Sequence, residues 1–297
     1  MTALRLAVHQ ANAAMGDLAG NAAAILAARE AAAGCDLLVT PELSLIGYPP
    51  EDLVLKPALV DAAEASLLKL AEATATPGPA LLVGTTHRTA NGLHNGYALL
   101  DDGRVAGVTL KHDLPNYGVF DEKRVFAPGP LPEPLPFRGL KLGIPICEDM
   151  WTPPVCRHLA RRGADLLLVP NGSPYELGKE DRRLSLARAR AAETGLALLY
   201  VNRTGGQDEL VFDGGSFALN PDGRLMARLP DWEAALGEVG WSREGGFAPG
   251  ALDMPDVEEE EIWHAMLLGL RDYVNRNGFP GVVLGLSGGI DSALSAA

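Results

Sequence analysis

Three short apolar stretches of this sequence end in side chains that could perform acid–base or nucleophilic chemistry. Glu42, Lys111 and Cys147 each follow such a stretch directly. A thiol must lose its proton before it attacks, and a free cysteine is mostly protonated at neutral pH. A carboxylate can accept that proton, and a lysine ammonium can stabilise the thiolate and the oxyanion that forms on attack. The three residues therefore predict hydrolysis of an unactivated amide through a thioester on Cys147, which water activated by the same carboxylate then cleaves.

The elements that must position these residues alternate between strands and helices over residues 1–248. Apolar runs predict buried strands, Ala-rich or charge-laced stretches predict helices, and the turns at residues 101–103 and 220–223 predict hairpins. βα units mixed with hairpins favour two sheets with helices outside them, an α-β-β-α sandwich of the α/β (α+β) class, over a plain Rossmann fold. The predicted strands cover residues 4–10, 36–40, 80–84, 94–100, 105–110, 142–146, 165–169, 196–202, 212–219 and 225–229, and the predicted helices cover residues 21–33, 61–73, 155–162 and 180–193.

The remaining residues predict a linker and the beginning of a second unit. Gly and Pro punctuate residues 245–256, which is typical of a linker. The acidic run at residues 258–261 suits a helix N-terminus, and a strand is predicted at residues 282–284. The helix should bury one face, because its apolar residues recur at helical spacing, namely Ile262, Met266, Leu270 and Val274. We predict a first domain over residues 1–248, a linker over 249–260 and an incomplete second domain over 261–297.

The composition excludes several classes of protein. A chain of 297 residues with a net charge of −13 lacks the basic footprint of a sequence-independent nucleic-acid binder. Three cysteines are too few and odd in number for a disulfide framework, which fits a reducing cytoplasm. No Cys or His spacing is typical of a zinc site, so we predict no structural metal. The start shows no signal peptide and no apolar run is long enough to span a bilayer, so we predict a cytoplasmic protein without a membrane partner.

The residues around the three reactive side chains resemble the motifs of the nitrilase (carbon-nitrogen hydrolase) superfamily. The similar stretches are residues 41–53, 110–120 and 146–151, and they are most similar to the glutaminase domains of glutamine-dependent NAD synthetases. The resemblance implies that Glu42, Lys111 and Cys147 form a catalytic triad. It also implies that a second carboxylate, Glu122, lies beside them.

The same resemblance implies a glutamine site and a homo-oligomer. The family holds glutamine with a Tyr six residues after the Lys, with a Ser in an Asn-x-Ser-Pro stretch, and with a basic residue six positions further on. In this sequence these residues are Tyr117, Ser173 and Lys179. Glutamine would be hydrolysed to glutamate and ammonia without a cofactor.

A second motif follows the predicted strand at residues 282–284 and resembles the loop of ATP pyrophosphatases. Small residues let the backbone approach a phosphate, and the amides at a helix N-terminus can cradle pyrophosphate. The resemblance implies a truncated Rossmann-like domain that uses ATP and Mg²⁺, with Asp291 near the metal, to adenylate nicotinic acid adenine dinucleotide for its amidation to NAD(+). The implied ATP-binding residues are Gly285, Leu286, Ser287, Gly288, Gly289, Ile290, Asp291 and Ser292. Since only the opening of that domain is present, we expect glutamine hydrolysis but no NAD synthesis from this chain alone.

Two other functions stay open at this point. The chain could be an independent amidase or nitrilase-type hydrolase of another small amide, although the loop at residues 285–292 has no use in such an enzyme. It could also be a catalytically silent regulatory or assembly module, in which Cys147 is a packing residue, because a buried cysteine is more often a small apolar side chain than a nucleophile.

Overall fold

The computed structural model describes residues 3–297. Its strands are β1 (Ala3–Gln10), β2 (Leu37–Val39), β3 (Ala80–Thr89), β4 (Gly92–Asp101), β5 (Arg104–Leu110), β6 (Leu135–Phe137), β7 (Leu140–Gly143), β8 (Leu166–Asn171), β9 (Leu198–Asn202), β10 (Thr204–Gln207), β11 (Leu210–Asp213), β12 (Phe217–Leu219), β13 (Leu225–Arg228), β14 (Ala235–Ser242) and β15 (Gly246–Phe247). Its helices are α1 (Leu18–Ala31), α2 (Pro57–Ala73), α3 (Glu122–Val125), α4 (Pro153–Arg161), α5 (Lys179–Thr194), α6 (Glu258–Arg276) and α7 (Ile290–Ala296), with short 3₁₀ helices at Glu51–Leu55 and Cys147–Met150.

The strands form two large sheets that each have a parallel centre. The first has seven strands in the order β15-β14-β1-β2-β3-β4-β5, and the second has six in the order β13-β12-β9-β8-β7-β6. The neighbours β1, β2 and β3 are parallel, as are β7, β8 and β9. Because β4 is antiparallel to both β3 and β5, β5 runs in the same direction as β2. The carboxyl ends of β2 and β5 therefore lie at one edge of the first sheet.

Three apolar clusters fill the spaces between four layers. The largest lies between the sheets and joins Leu6, Val39 and Leu99 of the first sheet to Leu142 and Leu168 of the second. A second cluster packs α1 and α2 on the outer face of the first sheet, and a third packs α4 and α5 on the outer face of the second. The predicted α-β-β-α sandwich is confirmed.

The strand predicted at residues 142–146 is wrong at its carboxyl end. β7 ends at Gly143, and Cys147 begins a 3₁₀ helix instead of ending a strand. Pro145 has no N–H to donate to a ladder, and Cys147 has φ +48°, which lies outside the strand region. The chain therefore turns sharply at the thiol.

The single strand predicted at residues 212–219 is also wrong, because two glycines divide it. Gly214 and Gly215 have φ values of +81° and +60°, which favour glycine and break an extended strand. The residues before them form β11, which pairs with β10 in a two-stranded hairpin. The residues after them form β12, which pairs with β9 and β13.

Helix α6 forms where it was expected, but a different face is buried. Ile262, Met266 and Leu270 are exposed by 41%, 57% and 53%, while Ala265 and Leu268 are buried where α6 packs against the β10–β11 hairpin. Small residues explain the choice of face. A Cβ on Gly206 of β10 would lie 3.0 Å from the Cα of Gly269. The two glycines therefore let the backbones of α6 and β10 approach closely on this face of the helix.

One buried carboxylate fixes α6 in place on that hairpin. Asp272 Oδ2 accepts hydrogen bonds from Asn12 Nδ2 and from the Gly206 N–H, both at 2.8 Å. The helical spacing of apolar residues could not have indicated this face, because its central contact is polar.

The strand predicted at residues 282–284 is absent from the described residues. Val283 is fully exposed, and no other segment of residues 3–297 lies beside it to form a ladder, which a parallel strand requires. The domain boundaries at residues 248 and 260 stay a prediction; β15 ends at Phe247 and α6 begins at Glu258. Among the helices of residues 3–297, none combines enough length with enough apolar character to cross a lipid bilayer.

Candidate active site

The three reactive residues follow the carboxyl ends of strands in the two facing sheets. Glu42 follows β2 and Lys111 follows β5, both at the carboxyl edge of the first sheet. Cys147 follows β7 at the carboxyl edge of the second sheet. All three are buried, with exposed fractions of 1%, 0% and 5%. The structure therefore brings together the acid, the base and the thiol that the sequence predicted.

The Lys111 ammonium lies between two carboxylates. Nζ donates to Glu42 Oε1 at 2.7 Å and to Glu122 Oε1 at 2.8 Å. Glu122 is the first residue of the short helix α3 and is itself buried. A buried ion pair is tolerated only where its hydrogen bonds are satisfied, so this set of three charges fixes the Lys111 side chain in one orientation.

Further groups orient the two carboxylates, and the sequence motifs did not predict them. Glu42 Oε1 accepts a second bond from Asn95 Nδ2 at 2.7 Å, and Glu42 Oε2 accepts from the Gly172 N–H at 2.8 Å. Tyr48 donates its hydroxyl to Glu122 Oε1 at 3.0 Å. A usable signal existed for Asn95, which is a polar residue in the middle of the mostly buried strand β4.

Burial and charge set the protonation states of the site. Burial alone would lower the pKa of Lys111, but Glu122 and Glu42 hold it well above its ordinary value. Burial and Glu42 raise the pKa of the Cys147 thiol well above its ordinary value, while Lys111 and the Gly172 amide oppose them. The thiol is therefore protonated at rest and needs a base when it attacks.

The pKa of Glu122 is raised as well. Burial and the neighbouring Glu42 carboxylate together raise it to about 7, although Lys111 acts in the opposite direction. Glu122 Oε2 is buried and has no hydrogen-bond partner in the described structure. This oxygen is available to a substrate or to water.

Two of the predicted substrate-binding residues lie beside Phe120: Tyr117 is exposed, whereas Lys179 is buried and its ammonium pairs with Glu176. We call Tyr117, Phe120, Glu148 and Lys179 the lip. Tyr117 is 52% exposed and donates its hydroxyl to Glu148 Oε2 at 2.9 Å. Lys179, at the start of α5, lies with Nζ 5.6 Å from the centre of the Phe120 ring. A cleft of about 680 Å³ opens beside Tyr117 and Glu148, and residues 116–119 at its rim are exposed.

Ser173 lies deeper than the lip, and both its hydroxyl oxygen and its backbone N–H contact buried side chains. It is buried, and its Oγ accepts a hydrogen bond from Arg183 Nε at 3.0 Å. Its N–H donates to Asn202 Oδ1 at 3.0 Å. Arg183 and Asn202 therefore hold the chain segment that follows β8, and neither was identified from the sequence.

The ATP-binding residues predicted at 285–292 lie away from this site; residues 285–291 are exposed and Ser292 is partly buried. Ser287 and Ser292 contact each other through their hydroxyls at 3.0 Å, just before and inside α7. The structure brings these eight residues together with none of the triad.

Comparison with known proteins shows similarity to carbon-nitrogen hydrolases and to NAD synthetases. The sequence profile described as carbon-nitrogen hydrolase matches residues 5–242, and the profile described as NAD synthase matches residues 262–297. A glutamine-dependent NAD(+) synthetase of Rhodobacter capsulatus is 48% identical over 98% of this chain and 54% of its own length. The chain thus spans about half the length of the curated relatives it matches.

Two solved structures extend the similarity. The glutamine-dependent NAD+ synthetase of Acinetobacter baumannii in complex with ADP superposes with a TM-score of 0.93 at 36% identity, over 99% of this chain and 56% of that chain. An amidase mutant from Nesterenkonia sp. AN1 superposes with a TM-score of 0.71 at 31% identity, over 88% of this chain and 96% of that chain. The amidase structure shows covalent addition of the acetamide moiety of fluoroacetamide at its active-site cysteine.

Proposed function

This chain belongs to the carbon-nitrogen hydrolase family, and from that premise we propose that it is the glutamine-hydrolysing part of a glutamine-dependent NAD(+) synthetase. The observation that carries the proposal is the placement of Lys111. Its fully buried ammonium contacts Glu42 and Glu122 at 2.7 and 2.8 Å, at the edge where the Cys147 turn meets the first sheet.

The first half of the reaction uses Cys147, Glu42 and Lys111 together. The Cys147 thiol gives its proton to the Glu42 carboxylate while its sulfur attacks the side-chain amide carbon of glutamine. Lys111 stabilises the negative charge that develops on the carbonyl oxygen. The Glu42 carboxyl then returns the proton to the amide nitrogen, the carbon–nitrogen bond breaks, and ammonia leaves a thioester on Cys147.

The second half of the reaction regenerates the thiol. Glu42 takes a proton from a water molecule as that water attacks the thioester carbonyl, and Lys111 stabilises the second tetrahedral intermediate. Collapse of that intermediate breaks the carbon–sulfur bond, the sulfur recovers a proton, and glutamate leaves. Asn95 and the Gly172 N–H support this cycle because their hydrogen bonds at 2.7 and 2.8 Å orient the Glu42 carboxylate.

The lip and Ser173 support glutamine as the substrate. We assign Tyr117, Ser173 and Lys179 to its binding. The Lys179 ammonium suits the α-carboxylate of glutamine and the Glu148 carboxylate beside Tyr117 suits a cationic group, since opposite charges attract strongly in a partly buried cleft.

The ammonia would serve an amidation that this chain does not perform alone. In the proposed whole protein, ATP and Mg²⁺ activate nicotinic acid adenine dinucleotide, and residues 285–292 contribute to the ATP site. The described residues do not fit these ligands by themselves. The loop is exposed, and within residues 3–297 no cluster of His, Cys, Asp or Glu side chains is arranged to hold a metal ion. We therefore assign no step to ATP here.

We also propose that the protein acts in the cytoplasm as a homo-oligomer. Its three cysteines are all free, which agrees with a reducing compartment.

The test is a glutamine hydrolysis assay that measures ammonia and glutamate, with the Cys147→Ala and Cys35→Ala variants in parallel. Cys35 is a buried free cysteine in the cluster beneath α1 and α2, so it is a matched control. We expect activity in the parent chain and in Cys35→Ala, and none in Cys147→Ala. Absence of ammonia from the folded parent chain would refute the proposal, and faster hydrolysis of simple aliphatic amides would favour an independent amidase.

A further inference from the structure

We propose that Asp149 is a positioning residue for the reaction, because its buried carboxylate ties the backbone that carries Lys111 to the backbone that carries Cys147. The inference rests on the function proposed above and assigns to it a residue that neither holds substrate nor exchanges a proton with it.

The two oxygens of Asp149 contact the chain segments that follow β5 of the first sheet and β7 of the second. Oδ1 accepts hydrogen bonds from the N–H of Asp113 at 2.7 Å and of His112 at 3.1 Å. Oδ2 accepts from the N–H of Ile146 at 3.0 Å. His112 is the residue after Lys111, and Ile146 is the residue before Cys147. One carboxylate therefore joins the two chain segments at the points where they deliver the ammonium and the thiol.

The Ile146 bond also holds the turn that presents the thiol. Asp149 donates its own N–H to the Ile146 carbonyl at 3.0 Å, so the turn around Cys147 is closed through both backbone and side chain. Cys147 has φ +48°, a conformation that residues with a Cβ rarely adopt and that persists only where neighbours fix it. Asp149 is one such neighbour.

The site requires a carboxylate and not merely a polar group. Three N–H donors point at two oxygens, and Asp149 is completely buried. An asparagine would replace one oxygen with an NH₂ donor, which would face a backbone N–H and leave it without an acceptor. Burial raises the pKa of Asp149 to about 7, and the amides of Asp113 and Ile146 oppose that rise because they stabilise the ionised form.

The experiment compares Asp149→Asn and Asp149→Ser with Asp165→Asn as the matched control. Asp165 also accepts a backbone N–H, that of Lys141 at 2.9 Å, at the opposite end of β7, so its loss removes a similar bond far from the site. A serine at position 149 can still accept from the Ile146 N–H, but it is too short to reach the N–H groups of His112 and Asp113. Three quantities are measured in each folded variant: the rate of Cys147 alkylation by iodoacetamide, kcat for glutamine per alkylatable site, and KM for glutamine.

We expect both Asp149 variants to lose about a hundredfold in kcat per site, the effect of a misplacement near 1 Å, with KM changed less than threefold. Alkylation should slow at least tenfold, and Asp165→Asn should match the parent chain in all three quantities. The proposal is overturned if total activity falls only in proportion to the number of alkylatable sites while kcat per site is unchanged. Asp149 would then have only a structural role. Failure of both variants to fold overturns it as well.

The alkylation rate separates this inference from the proposed function. If the parent chain hydrolyses no glutamine, the proposed function fails, but slower alkylation in the Asp149 variants still supports the tie between the two segments. If the parent chain is active and the variants are alkylated at its rate, only the role of Asp149 fails.

Discussion

Replacing Lys111 by methionine tests the central feature of the site, because it removes one buried charge and leaves two of the opposite sign. At distances of 2.7 and 2.8 Å, each ion pair has a Coulomb energy of about 6 kcal/mol at an effective dielectric constant of about 20. Desolvation of the three charges offsets most of that energy. Breaking a buried pair by removing one partner costs about 3–5 kcal/mol, and we expect Lys111→Met to lose that much free energy of unfolding at pH 8.

The cost should depend on pH and on the second carboxylate. At pH 5 the loss should be smaller, because Glu122, whose pKa is raised to about 7, is then protonated and no longer repels the Glu42 carboxylate. The double variant Lys111→Met/Glu122→Gln should be more stable at pH 8 than the single one, with a coupling energy of about 1–3 kcal/mol. Glutamine hydrolysis should fall about 100- to 1000-fold in both variants, since loss of an oxyanion donor has that effect.

Urea unfolding at pH 5 and pH 8 measures these free energies, and Lys141→Met is the control because Lys141 is exposed. The reasoning is refuted if Lys111→Met loses less than about 1 kcal/mol at pH 8, the range of surface ion pairs. It is also refuted if Glu122→Gln brings no recovery in the double variant.

Three further predictions concern the groups around the triad. The pKa of Glu122 is raised by burial from 4.5 to about 7. The contribution of Glu122 to the free energy of unfolding is therefore fully present below pH 4.5 and is lost as the pH rises through 7. Urea unfolding of Glu122→Gln across that range should lack this decline, and an unchanged pH dependence would contradict the prediction. Asn95→Ala removes the 2.7 Å hydrogen bond to Glu42 and should lower kcat for glutamine about tenfold with little change in KM, which steady-state kinetics would show; a rise in KM alone would mean that Asn95 acts on binding. Tyr117→Phe removes the hydroxyl bonded to Glu148 at 2.9 Å and should raise KM for glutamine several-fold at nearly constant kcat; equal losses in kcat and kcat/KM would place Tyr117 in the chemical step.

The sequence predicted the layers of the fold because they depend on local patterns. Apolar runs and turn residues occur within a few positions of one another, and the strands and helices over residues 4–202 mostly lie within a few residues of their predicted bounds. The failures at residues 142–146 and 212–219 have one cause. In both stretches the apolar residues continue, but proline or glycine ends the strand. The positive φ of Cys147, +48°, cannot be recognised from residue type.

The site was predictable where chemistry depends on residue type and not where it depends on geometry. Glu42, Lys111 and Cys147 follow apolar runs, and a search for reactive side chains at strand ends finds them. Asn95 and Asp149 contribute through hydrogen bonds to residues far away in the sequence, such as the 2.7 Å contact between Asn95 and Glu42. Strand pairing within the first sheet brings Asn95 to Glu42, and packing of the two sheets brings Asp149 to the backbone of Asp113.

The buried residues of the site are tightly hydrogen-bonded, whereas its rim is exposed. This difference affects how the chain could acquire a new substrate in evolution. Every polar atom of Lys111 and Glu42 is engaged in the fully buried set, so most substitutions there would cost both catalysis and folding. Residues 116–119 at the rim of the cleft are exposed, and changes on such surfaces usually alter stability by less than about 0.5 kcal/mol. Drift in substrate preference can therefore accumulate in this loop while the hydrolytic chemistry stays fixed, which makes residues 116–119 the first positions to randomise in a search for hydrolases of other amides.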